Sequence, residues 1–211
     1  MQDLFSETRP HKQQIAPDIW LLSNFVDTKP LLSLVDTITQ SSPFRKMLTP
    51  NGHYTGVAAT NCGKFGWVSD KTGYRYSPID PINKNQWPAL PSTFEQLAKD
   101  AAKSADFENF CPDACLINRY LIGTKLGSHQ DKNEVNFKQP IVSVSIGLPA
   151  IFQIFGSQRS GKAINVQLYD GDVMVWGNSS RLIYHGVKAL TENSLDPNQK
   201  QRINLTFRKS H

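Results

Sequence analysis

The chain has 211 residues, with Lys+Arg 23 against Asp+Glu 18 and a formal charge of +5. That length suits one substantial domain, and 39% hydrophobic with 10% aromatic residues is enough to build a core, which excludes disordered and fibrous classes. The small positive excess permits a nucleic-acid partner without requiring one.

Met1 to Glu7 is polar and acidic and lacks the basic-then-apolar pattern of a secretory leader, and no run of about 18 apolar residues is present to span a bilayer. A cytoplasmic protein without membrane association is expected. Cys62, Cys111 and Cys115 do not complete a disulfide framework and suit a reducing compartment. With no fourth ligand nearby they are read as buried or partly buried thiols instead of a zinc site. No repeat is visible, glycine and proline are dispersed, and residues 1–211 read as a single domain.

In chain order, a helix follows Asp27-Thr28, with Pro30 in its first turn and Leu31, Leu34, Val35 and Ile38 as its apolar stripe. Residues 42–91, rich in Gly, Pro, Asn, Tyr and Trp, are expected as loops and short strands laid over one end of the sheets, where recognition commonly resides. Ser92-x-x-Glu95 has the form of a capping box, and Phe94, Leu97, Ala98, Ala101, Ala102 and Ala105 share one face of a second helix. From about Cys115 the period drops to two. Strands are expected at 116–121, 140–148, 151–155, 164–168, 172–176 and 202–208. Helices followed by a β-rich half give an α+β chain whose sheets close on each other as a sandwich or jelly roll, with 115–208 as its core.

Gly156-Ser-Gln-Arg-Ser-Gly161-Lys162-Ala163 comes within one residue of a phosphate-binding loop. Ala163 offers no hydroxyl for Mg²⁺, and Ile164 to Leu168 has strand periodicity where that motif needs a helix start, so a hairpin turn is expected.

His129-Gln130-Asp131 places an imidazole and a carboxylate two residues apart, on one side of extended backbone. His185 follows a stretch that can fold back as hairpins to the same place. Two histidines and one carboxylate form the facial triad of non-haem Fe(II), which leaves positions open for a cosubstrate and O₂. In Arg202-Ile-Asn-Leu-Thr-Phe-Arg208, apolar and polar residues alternate. At ~3.3 Å per residue the two arginines stand roughly 20 Å apart, a spacing from which both side chains can reach the ends of a small dicarboxylate. Read singly, each motif has a plain alternative: a hydrogen-bonded surface His/Asp pair, and solvated arginines on an edge strand.

Taken together, His-x-Asp, a distant His and Arg-x-Asn-x-x-x-Arg resemble the AlkB family of 2-oxoglutarate- and Fe(II)-dependent dioxygenases. The likeness extends to Thr60-Asn-Cys-Gly63, Gly66-Trp67, Gly73 to Pro81, Trp87-Pro-Ala, Pro112 to Tyr120, Pro140 to Ser145 and Ser180 to Gly186, and runs from about Asp3 to Arg208. This resemblance implies a double-stranded β-helix preceded by N-terminal helices and a nucleotide-recognition lid. It implies Fe(II) on His129, Asp131 and His185, the catalytic centre, with O₂ as cosubstrate. 2-Oxoglutarate is implied on Arg202, Asn118 and Tyr120 at its distal carboxylate, and on Asn204 and Arg208 nearer the iron.

The implied reaction is oxidative demethylation of N-alkylated bases such as 1-methyladenine and 3-methylcytosine. Single- or double-stranded DNA would be the substrate and RNA a further one, with formaldehyde, succinate and CO₂ as products, and a monomer is expected. An extruded base would be held by Trp67 opposite His185, with Tyr74 and Tyr76 at the pocket mouth. Thr49, Arg75, Lys125 and Arg159 would flank it as substrate or phosphate contacts. One position departs from the bacterial His-x-Asp-x-Asp pattern: Asn133 stands where a carboxylate reads the damaged base. An amide offers a cationic base only a dipole, so a weaker preference for cationic over neutral lesions is expected, with Glu134 compensating. Two other classes compete: a 2-oxoglutarate oxygenase of RNA, protein or a small molecule, which has no need of the lid, and a non-catalytic nucleic-acid-binding module, which has no need of three metal ligands.

Overall fold

The computed structural model describes residues 9–192, 196 and 199–211; the reading of Met1 to Glu7 falls outside them. An antiparallel hairpin comes first, β1 (Lys12–Ala16) and β2 (Ile19–Leu22), so strands, not helices, lead the described chain. The run Ile19-Trp-Leu-Leu22 shows no alternation because the strand is covered on both sides. Next comes α1 (Lys29–Ser41), with Pro30 in the first turn, where its missing N–H costs nothing, and with Leu31, Val35 and Ile38 buried.

The segment 42–91 holds the expected loops and short strands, but one of the strands extends the main sheet instead of lying over its end. β3 (Ala58–Gly63) joins the main sheet, and β4 (Gly66–Asp70) pairs with β5 (Gly73–Ser77) as a separate hairpin. In α2 (Ser92–Ser104) the capping box does not form. Pro91 takes the cap position and its carbonyl accepts the Glu95 N–H at 3.0 Å, which places Ser92 inside the helix. The Glu95 carboxylate turns forward to Lys99 instead. The Phe94, Leu97 and alanine face is buried.

Every strand read from period two is present: β6 (Ala114–Leu121), then, beyond β7 (Leu126–His129), β8 (Ile141–Gly147), β9 (Ala150–Gly156), β10 (Ile164–Leu168), β11 (Val173–Trp176) and, beyond β12 (Tyr184–Val187), β13 (Gln201–Arg208). The two strands of this half not anticipated, β7 and β12, have four residues each and contain glycine. The Gly156 to Gly161 segment is the β9–β10 turn, with both glycines at left-handed φ, 74° and 120°.

The strands form a seven-stranded sheet, β1-β2-β11-β8-β13-β6-β3, and a four-stranded sheet, β10-β9-β12-β7. All pairings are antiparallel. This is the jelly-roll architecture of two facing sheets, and β1, β2 and β3 complete its large sheet from outside 115–208. Alternation in β13 serves two interiors. Ile203, Leu205 and Phe207 join α1 and α2 in one core layer, while Arg202, Asn204, Thr206 and Arg208 face a cavity between the sheets. All seven are buried, so the polar face is not a solvated edge. Cys62 and Cys115 are buried free thiols; Cys111, expected to be at least partly buried, is exposed. Among the described residues no helix is long and apolar enough to cross a membrane.

Candidate active site

β7 and β12 pair in a register that sets His129 directly opposite His185. Gly186 permits the approach: a Cβ there would stand 2.7 Å from the Leu126 carbonyl oxygen. Asp131, just past the end of β7, turns its carboxylate to both imidazoles, with Oδ1 3.8 Å from His129 Nε2 and Oδ2 3.7 Å from His185 Nε2. The Nδ1 atoms face the backbone, at 2.9 Å from the Gly127 carbonyl and 3.1 Å from that of Ile183. A carbonyl only accepts, so each Nδ1 carries the hydrogen and each Nε2 keeps its lone pair free for a ligand. Burial pushes the His185 pKa down to about 3, helped by the neighbouring His129, and the ring is neutral near pH 7, the form that binds metal. Burial opposes ionisation of Asp131, but Arg208 and the two histidines prevail and hold its carboxyl below the usual range.

One ligand atom from each of these three residues lies within 4.8 Å of the others. This donor set suits Fe(II) and covers one face of the ion.

The cavity beside the triad has a volume of about 500 Å³. Its floor is the inward face of β6, β8 and β13. Asn204 donates to Ser143 Oγ at 2.8 Å and the Val144 carbonyl at 2.9 Å and accepts from Thr206. Arg208 Nη2 donates to Asp131 Oδ2 at 2.8 Å. Arg202, 1% exposed, donates from Nη2 to Ser145 Oγ at 3.0 Å and lies over the Tyr120 ring. Its Nε and Nη1 are buried without a partner. Two orphaned guanidinium donors in a cavity that also presents Asn118 and Tyr120 fit a carboxylate ligand.

The comparisons with known proteins identify the setting. A model described as the 2OG-Fe(II) oxygenase superfamily matches residues 18–208. The chain belongs to this superfamily. It is 45% identical over 212 aligned residues to the α-ketoglutarate-dependent dioxygenase AlkB of Escherichia coli strain K12, covering 100% of this chain and 98% of that protein. It is 30% identical to the human nucleic acid dioxygenase ALKBH1 over 62% of this chain and 33% of that one. A solved structure titled OsALKBH1 superimposes with a TM-score of 0.80 at 29% identity, covering 94% of this chain and 99% of that chain. The protein is a 2-oxoglutarate-dependent Fe(II) dioxygenase, with O₂ as the second cosubstrate and a triad that can bind the iron.

Of the substrate residues expected from the sequence, Thr49, Trp67, Tyr74, Lys125, Asn133 and Arg159 line the oxygenase's cavity; Arg75 and Tyr76 do not. Trp67 stacks on Tyr74 with ring centroids 5.5 Å apart, whereas His185 is flanked by His129, Phe152 and Trp176. Asn133 Oδ1 accepts from Trp67 Nε1 at 3.3 Å, and its Nδ2 donates to the Tyr74 carbonyl at 3.4 Å. Arg75 is paired with Asp70 at 2.7 Å. Glu134, expected to compensate for Asn133, is outside the cavity lining and 6% exposed, and it accepts from Tyr76 Oη at 2.6 Å.

Sequence reasoning assigned no role to Arg181 and placed Trp176 in the core. Trp176 is buried and also lines the cavity, edge-on to His185. The signal for Arg181 was a lone cation just ahead of an apolar run that ends in a ligand.

Proposed function

We propose that this dioxygenase removes N-linked alkyl groups from bases of nucleic acid, as a DNA repair enzyme acting on lesions such as 1-methyladenine and 3-methylcytosine, with RNA as a further substrate. One observation carries the reading: the cavity that holds the triad is lined by a stacked Trp67–Tyr74 pair, a π-face suited to a base that has left its stack. Lys125, Lys132 and Arg159 also line it, and Asp131 is its one carboxylate among the described residues, a charge balance that favours a phosphate-bearing substrate. The relatives named above include an AlkB dioxygenase and a nucleic acid dioxygenase.

In this reading His129, Asp131 and His185 hold Fe(II), while Arg202, Asn118 and Tyr120 hold the distal carboxylate of 2-oxoglutarate. With Fe(II), 2-oxoglutarate and O₂ bound, the chemistry supplied is oxidation of a C–H bond of the alkyl group, with succinate and CO₂ as co-products and formaldehyde leaving from a methylated base. Arg208 keeps Asp131 ionised, the backbone carbonyls behind the histidines fix their tautomers, and Trp67 with Tyr74 orients the base. In this reading residues 1–211 act as one dioxygenase domain in the cytoplasm, and as a monomer because one chain supplies every site residue.

The test is formaldehyde release from single-stranded DNA containing 1-methyladenine, with RNA of the same sequence alongside and His129→Ala as control. Release by the wild type and none by the variant is expected. Succinate formation without formaldehyde from either strand would leave the dioxygenase standing and move its substrate to another class.

A further inference from the structure

We propose that Arg181 and Glu134 are positioning residues that hold the two ligand-bearing segments of the metal centre in register and tie the recognition hairpin to them. The inference concerns the metal site and does not depend on the nucleic-acid reading.

Arg181 sits in the turn just before β12 and is 2% exposed. Each of its three nitrogens is used. Nε donates to the Gln139 carbonyl at 3.0 Å, Nη1 donates to the Asp131 carbonyl at 2.9 Å, and Nη2 stands 3.1 Å from Glu134 Oε2. The guanidinium also lies over the Phe137 ring, 5.5 Å from its centroid. A single side chain thus gathers residues 131, 134, 137 and 139, the loop that follows His129, and fastens them to the segment that delivers His185. The planar fork is what allows two directed hydrogen bonds and an ion-pair contact at once; a lysine ammonium has no equivalent geometry.

Glu134 extends the brace. Its Oε1 accepts from Tyr76 Oη at 2.6 Å and stands 3.5 Å from Arg208 Nε, the arginine that also binds Asp131. Burial, together with the nearby Glu134 and Asp131 charges, keeps the Tyr76 phenol protonated and therefore a donor. The Arg181 Nη2 and Arg208 Nε contacts with Glu134 lie within ion-pair distance but are not aligned as hydrogen bonds, so that carboxylate acts on the two guanidinium groups mainly through charge. Two cations and two anions, Arg181, Arg208, Asp131 and Glu134, neutralise one another in a nearly dry layer behind the triad. Tyr76 belongs to β5, beside the Tyr74 that faces the cavity. The hairpin that carries the stacked aromatics is thereby pinned to the metal-ligand loop.

Partners that orient a metal's ligands typically contribute ten- to a hundredfold to affinity. The experiment is anaerobic titration of the full chain with Co(II), read by its ligand-field absorption, for wild type, Arg181→Lys and Glu134→Gln, with thermal unfolding recorded for each. Folded variants that bind Co(II) ten- to a hundredfold more weakly, with shifted absorption bands, are expected. A merely structural role would lower the melting temperature and leave affinity and bands alone, and that result in both variants overturns the proposal. If Arg181→Lys fails to fold, Glu134→Gln decides alone, since it keeps side-chain volume and an acceptor for Tyr76; wild-type binding by it removes the brace.

Discussion

The guanidinium of Arg202 is costly to bury, with two donors unpartnered at 1% exposure, and each such group carries roughly 1–3 kcal/mol of unrecovered desolvation. Replacing it by methionine, of similar length, removes that cost along with the ligand's partner. Arg202→Met is expected to melt at or above the wild-type temperature without cosubstrate. Its affinity for 2-oxoglutarate should fall at least ~30-fold, on about 2 kcal/mol for truncating a buried charged partner. Calorimetric titration with 2-oxoglutarate and Mn(II) checks this, and unchanged affinity would remove Arg202 from the cosubstrate site. Asn133 poses the complementary question of charge. Glu134 is engaged elsewhere, and among the described residues no carboxylate besides Asp131 lines the cavity to compensate for the amide. Asn133→Asp is therefore expected to raise the ratio of turnover on 1-methyladenine to turnover on a neutral etheno adduct, and an unchanged ratio refutes it.

Elements decide which neighbours in sequence share a site. In the β4–β5 hairpin Trp67 pairs with Tyr76 and Ser69 with Tyr74, so these four project from one face, whereas Val68 and Arg75 project from the other. Arg75 stands between two aromatic site candidates in sequence, yet the period of two turns it away to Asp70. Tyr76 shares the aromatic face, but it reaches inward to Glu134 instead of lining the cavity. Base stacking on an aromatic is worth about 1–3 kcal/mol. Trp67→Ala should accordingly raise KM for a methylated oligonucleotide roughly 5- to 150-fold with little change in kcat, while 2-oxoglutarate turnover without substrate persists. A loss of kcat at unchanged KM would mean that Trp67 does not hold the base.

For the whole molecule, a polar, charged interior between two sheets makes stability depend on pH. His185 is depressed to about 3 from an ordinary 6.5, and Asp131 is also depressed. In both cases the unfolded chain binds protons that the folded chain refuses. The His185 contribution is complete above about pH 6.5 and is lost as pH falls toward 3, at up to ~1.4 kcal/mol per pH unit, whereas that of Asp131 is complete above its ordinary 3.8 and is lost only below it. Denaturant unfolding of metal-free protein between pH 7.5 and 4.5 should show this decline, and His185→Gln should flatten it. Equal slopes in the two proteins would mean that His185 does not carry the effect.

The sequence by itself determined the strands of the β-rich half: in β6 and β13 one face packs with the helices and the other lines the cavity, in β9 and β10 buried residues alternate with less buried ones, and such differences are written at period two. It also supplied the candidate ligand types, since His-x-Asp, a later His and Arg-x-Asn-x-x-x-Arg, ambiguous singly, together resemble the family's set. It left β7 and β12 unread, because four residues with a glycine carry no periodic signal. It could not show that β13's arginines lie inside, because an exposed polar face and a polar cavity wall have the same alternation. Only the tertiary structure decided that His129 meets His185 across a strand pair, that Arg75 faces away, and that Arg181 and Glu134 stand beside the His129–Asp131–His185 triad. Those facts depend on strand register and on the loop after β7, which contacts distant in sequence fix.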